Sequence, residues 1–126
     1  MTTAPFVLIT THRIHPEHLS ELLEQAEQYD AFIEANEPTM RGHLASVDEG
    51  RREISLVQVH SDAQSVERHF ELAGEHIHRA VDLVDTIAID VFGEPGPRLR
   101  QALDANASAG AVVSVKPAAV AGFLRS

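Results

Sequence analysis

The sequence predicts an α+β fold with the element order β-α-β-β-α-β. Three observations predict it. Two stretches carry apolar residues at helical spacing, short apolar runs lie between them, and a turn signal separates two adjacent runs. The first run, Phe6-Val-Leu-Ile-Thr-Thr-His-Arg13, reads as a strand. Phe6, Leu8, Thr10 and His12 share one face, and Val7, Ile9, Thr11 and Arg13 share the other. Pro16 suits a first helical turn, and the helix is expected from about Glu17 to Asn36. Its buried stripe is Leu19, Leu22, Leu23, Ala26, Tyr29 and Ile33, and Asn36-Glu37-Pro38 ends it.

Thr39–Asp48 and Glu53–His60 flank the turn Asp48-Glu49-Gly50 and should pair as a hairpin, with a bulge or close approach at Gly42. Ser61 and Gln64 stand at capping-box spacing before the stripe Ala63, Val66, Phe70, Ala73. Gly74 should end or break that helix, and Ile77, Ala80, Val81 and Val84 form a shorter stripe. Thr86–Phe92 reads as a strand with Ile87, Ile89 and Val91 on one face. A loop, a short helix at Arg98–Asn106 and a strand at Ala111–Val115 extend the chain, followed by the tail Pro117–Ser126.

Composition narrows the possible roles. The chain has 126 residues, 44% of them apolar, enough for one core, so a single domain is expected, with its core at about 5–92 and an extension at about 93–126. A net charge of −9 argues against nucleic acid or an anionic membrane as partner. The lack of cysteine excludes disulfides, thiolate catalysis and cysteine-ligated metals, and fits a cytoplasmic protein. The start, Met1-Thr-Thr-Ala-Pro5, has no basic segment of a secretory signal.

The element order is the ferredoxin-like arrangement, which puts both helices on one face of an antiparallel sheet. The other face is left bare, and it is expected to carry Leu8 and, depending on register, the apolar face of Ile54–His60. Two bare faces can pair into a closed dimer.

Arg13-Ile-His-Pro16 with Leu19, Leu22 and Leu23, Ser46-Val-Asp-Glu49 with Ile54–Gln58, and Ser61-Asp-Ala63 with Val66-x-x-His69 together carry a resemblance over roughly residues 5–92. The pattern resembles the antibiotic biosynthesis monooxygenase family of the dimeric α/β-barrel superfamily. The resemblance implies a homodimer whose protomers each hold a pocket between the sheet and the second helix. It implies cofactor-independent oxygenation of an electron-rich aromatic compound or haem degradation, while the lack of tryptophan and the single tyrosine favour the alternative of a non-catalytic module that binds a small molecule or only dimerises. Haem-degrading relatives use an axial histidine later in the second helical region. Here that segment is Arg79-Ala-Val-Asp82, with His76 and His78 nearby.

The eight histidines are the chemistry to place. His12, His15 and His18 form H-x-x-H-x-x-H, but they span a strand, a loop and a helix start, and the H-E-x-x-H order is absent, so no metal site is expected. His69 and His76 share a helical row about 10 Å apart, too far to share one ion. His76 and His78 read as a solvated, acid-paired surface. His69 flanks the buried stripe, and an imidazole there suits a general base acting on a phenol-like substrate without any cofactor. The competing reading is a half-buried histidine bonded to backbone. Thr10 and His12 join the site from the sheet if their face lines the barrel interior. Thr11 and Arg13 do so in the opposite register, and His43 beside Gly42 shares that ambiguity. The expected site is therefore His69 as base with Thr10, His12 and His43 as polar groups, for a small hydrophobic molecule.

Overall fold

The computed structural model describes residues 4–125, so the reading of the first residues as free of a signal lies partly outside the described residues. The elements follow the expected order: β1 Phe6–Ile14, α1 Leu19–Asn36 after a 3-10 turn at Pro16–His18, β2 Met40–Asp48 and β3 Glu53–His60. Then come α2 Ala63–Leu72, α3 Gly74–Ala80, β4 Val84–Phe92, α4 Pro97–Ser108 and β5 Val112–Lys116. They build one five-stranded sheet in the order β2-β3-β1-β4-β5, antiparallel except for the β4–β5 pair.

Register decides the faces. Leu8 pairs with Gln58 and Val91, and Thr10 with Leu56 and Ile89, so these residues share one side. Phe6, Leu8, Val66, Ile89, Val91, Leu99 and Leu103 form one buried cluster, which places that side under the helices. Leu8 is thus a core residue and not part of the bare face. The bare face instead carries Val7, Ile9, Leu44, Val57 and Val59. A second cluster, Ile14, Leu22, Ile54 and Leu83, closes the other end of the helix-covered side.

Two irregularities adjust the pattern. The β2–β3 register slips between Met40 and Gly42, as the glycine suggested. The β1–β4 register slips between Thr11 and His12, so His12 pairs with Thr86 while Thr11 pairs with Ala88. Ile87 is left without a partner in this ladder, and strict alternation along β4 fails there. The cap of α2 is also one residue later than Ser61: the Asp62 carboxylate accepts from Ser65 N at 2.9 Å, and Ser61 Oγ donates to Thr39 O. Val81 is exposed in a 3-10 turn, and Leu83 is buried in its place.

Candidate functional site

A cavity of about 470 Å³ lies within the single chain, between the sheet and the helices. Leu8, Thr10 and His12 of β1 and Ile54, Leu56 and Gln58 of β3 form its floor. Tyr29 of α1, His69 and Phe70 of α2, His76 of α3 and Leu99, Ala102 and Asn106 of α4 form its walls. Most of the lining is apolar, which suits a hydrophobic ligand.

A buried polar chain runs to this cavity. Glu37, 5% exposed, can only accept as a carboxylate, so the Nδ1–H of His69 donates to its Oε1 at 2.7 Å. The His69 Nε2 therefore accepts, and the Tyr29 hydroxyl donates to it at 2.5 Å. Gln58 Nε2 donates to the Tyr29 oxygen at 3.4 Å and stands 3.4 Å from His69 Nε2. Gln58 Oε1 accepts from His60 Nε2–H at 2.8 Å, and His60 Nδ1 accepts from the Ser65 hydroxyl at 2.7 Å. Two groups that can only accept fix the tautomers: the Gln58 amide oxygen sets that of His60, to which the Ser65 hydroxyl turns its hydrogen, and Glu37 sets that of His69.

Electrostatics follow from burial. Burial pushes His60 down to about 4, helped by the nearby His69 and opposed by Asp62, with a smaller downward push from His43. Burial, with the Glu37 charge behind it, raises the Tyr29 phenol above its ordinary value, despite the opposing hydrogen bond from Gln58. Tyr29 is therefore held as a donor. Burial also lowers His12 to about 4. The His12 ring is bonded at Nδ1 to Thr86 Oγ1 and at Nε2 to Thr10 Oγ1, both at 2.9 Å.

The expected site residues divide. His69, Thr10 and His12 all line the cavity, though from the helix-covered side of the sheet and not from a space between two sheets. His43 does not line it. Its side chain is 5% exposed, bonded to Asp30 at 2.7 Å and set edge-on to Tyr29. His76, expected at the surface, is in the cavity wall, its ring tilted 41° against Phe32 with centroids 4.6 Å apart. His15 pairs with Asp85 and His18 with Glu21, so the three rings have different partners. Among the described residues no group of three candidate ligands forms a metal cluster.

Glu37, Tyr29, Gln58, His60 and Ser65 were not singled out from sequence as site residues. Glu37 read as a helix stop and Tyr29 as part of a buried stripe. Only the proximity of His60 and His69 at the two ends of one strand-to-helix unit hinted at the network; their ring centroids are 6.1 Å apart.

No protein-family model matches the sequence, and no curated protein matches it. Solved structures do match. MupZ from Pseudomonas fluorescens superposes with a TM-score of 0.70 at 17% identity, over 94% of this chain and 95% of that one. SnoaB, a cofactor-independent oxygenase from Streptomyces nogalater, gives 0.62 at 14% identity, over 75% of this chain and 97% of its own. A candidate antibiotic biosynthesis monooxygenase from Bacteroides thetaiotaomicron gives 0.61 at 15%, over 70% and 85%. The fold is the ferredoxin-like α+β fold of the antibiotic biosynthesis monooxygenases.

Proposed function

We propose that the protein is a cofactor-independent oxygenase acting on a small hydrophobic aromatic compound, with His69 as the general base. The observation that carries this reading is the Glu37–His69–Tyr29 chain opening on an apolar cavity. The likeness in fold to SnoaB supports it.

Tyr29 acts as the relay. Its oxygen takes a proton from an acidic CH₂ of the substrate, flanked by a carbonyl and an aromatic ring, as its own proton passes to His69 Nε2. A concerted transfer avoids a free phenolate, which burial disfavours. Glu37 stabilises the imidazolium that forms. The Gln58 amide, only weakly engaged by its 3.4 Å contacts, donates to the oxygen where the enolate charge collects. The carbanion passes one electron to dioxygen. The substrate radical and superoxide combine into a carbon-bound hydroperoxide, and loss of water leaves a carbonyl. The sum is CH₂ plus O₂ giving C=O plus H₂O.

Oxygen uptake with a panel of phenols and enolisable aryl ketones, in chelator-treated buffer, tests the reading. One O₂ should be consumed per carbonyl formed, the chelator should change nothing, and His69→Gln should lower kcat by about 10²–10⁴. Uptake that survives His69→Gln would remove the base.

His76 favours one second reading. An imidazole in an apolar cavity wall is what an axial haem ligand requires. Haemin that gives no shifted Soret band, or a shifted band unchanged in His76→Ala, dismisses it.

We also propose that two copies pair through the bare sheet faces. Val7, Ile9, Val57, Val59 and Leu44 supply the apolar area there, and Leu44 is 57% exposed in the single chain.

A further inference from the structure

We propose that the cavity is a two-ended site for an elongated, largely apolar molecule, with an ionisable group at the Tyr29–His69 end and an uncharged oxygen acceptor, a carbonyl or ether, at the Thr10–His12–Thr86 end. The first half rests on the reading of His69 as base; the second stands on a different cluster.

The two ends are separate. Gln58, in contact with Tyr29 and His69, pairs across the sheet with Leu8, whereas His12 lies four residues further along β1. At strand rise the second end begins about 7 Å away at Thr10 and reaches about 13 Å at His12 and Thr86. The floor beside the two ends includes Leu8, level with Gln58, and Leu56 and Ile54, level with Thr10 and His12, and these take apolar surface. A molecule that satisfies both ends must span that floor.

The chemistry of the second end follows from hydrogen counting. A neutral imidazole has one N–H and one bare nitrogen. Whichever nitrogen carries the hydrogen, one threonine hydroxyl accepts from it and the other donates to the ring. The accepting hydroxyl keeps its own O–H, and among the described residues no other side-chain partner takes it. The cluster thus presents a single O–H donor. Burial holds His12 at about 4, so the cluster is uncharged at neutral pH and does not favour a carboxylate. The β1–β4 register slip is the device that builds this end, because it sets Thr86 opposite His12.

Three probes test the assignment: 4-phenylphenol, 4′-hydroxybiphenyl-4-carbaldehyde and 4′-hydroxybiphenyl-4-carboxylate, titrated against the full chain by calorimetry. The aldehyde should bind about tenfold more tightly than 4-phenylphenol, as one added hydrogen bond implies. The carboxylate should bind no better than 4-phenylphenol. In the double variant Thr10→Val with Thr86→Val, the aldehyde and 4-phenylphenol should bind equally. Equal affinities in the unaltered protein, or an aldehyde preference that survives the double variant, overturn the acceptor end. A preference for the carboxylate overturns it as well and points to Arg79 at the cavity rim. Failure of the base is read separately. A phenolate absorption band at neutral pH should appear on binding and vanish in His69→Gln. Its absence rejects the base while the aldehyde preference stands.

Discussion

His69 is held at both ring nitrogens, by Glu37 on one side and Tyr29 on the other. If Tyr29 relays the proton, Tyr29→Phe should lower kcat about as far as His69→Gln, by about 10²–10⁴, with little change in KM. Full turnover in Tyr29→Phe would show that His69 acts on substrate directly. Glu37→Ala leaves the Nδ1–H of His69 without a partner in a dry site. It should cost about 1–3 kcal/mol in urea unfolding, where an exposed carboxylate would cost almost nothing. His60 gives a pH dependence whose sign is set. Its folded value is about 4, against an ordinary 6.5, so between these values the unfolded chain binds the extra proton. Its contribution is therefore full above about pH 6.5 and is lost as pH falls towards 4. A shift of this size is worth about 3 kcal/mol. The difference in stability between wild type and His60→Gln should follow that window; a difference independent of pH over it would mean that His60 stays protonated in the fold.

At the scale of elements, α4 is fastened to α2 by one side chain. The Glu67 carboxylate accepts from Arg98 N at 2.8 Å and from Leu99 N at 3.1 Å, so a residue of one helix caps the start of another. Gly96 makes room for it: a Cβ there would lie 2.8 Å from Glu67 Cδ. Because Leu99, Ala102 and Asn106 wall the cavity, this clamp also shapes the site. Glu67→Ala should cost about 1–2 kcal/mol and should raise amide exchange in α4 before α1. Uniform exchange across both helices would make the clamp irrelevant to the wall. Gly93 is stricter. Its φ of +146° and a Cβ position 2.3 Å from the Phe6 ring leave no space for a side chain.

At the scale of the whole molecule, the sheet divides the chain's apolar residues between a private core and a bare face. Among the described residues, four helices close the core side and none of them covers the bare side. Val57→Lys puts a charge near the centre of that face, between Ile9 and Leu44. Sedimentation should report a dimer for wild type and a monomer for this variant, with the helical circular dichroism kept. A wild-type monomer at micromolar concentration would end the pairing proposal. Among the described residues, no helix is long and apolar enough to cross a membrane.

The sequence by itself determined the element order, the α1 stripe, the hairpin, the glycine irregularity at Gly42 and that His69 stands beside the buried face of α2. These depend on local periodicity and turn residues, which are written along the chain. Tertiary structure decided the rest. Which face of β1 meets the helices depends on pairing register, and a one-residue change reverses it. That is why Leu8 moved from the bare face to the core, and why Thr86 came to stand beside His12. The burial of Glu37 at the end of α1 brings it to a ring 32 residues away, and no local pattern marks an acid that will lose its water. His76 reaches the cavity wall from α3, the separate helix that begins at Gly74, where its ring meets Phe32 and Tyr29. His69 stood out from sequence; its partners became visible only when strand, helix end and helix face were folded together.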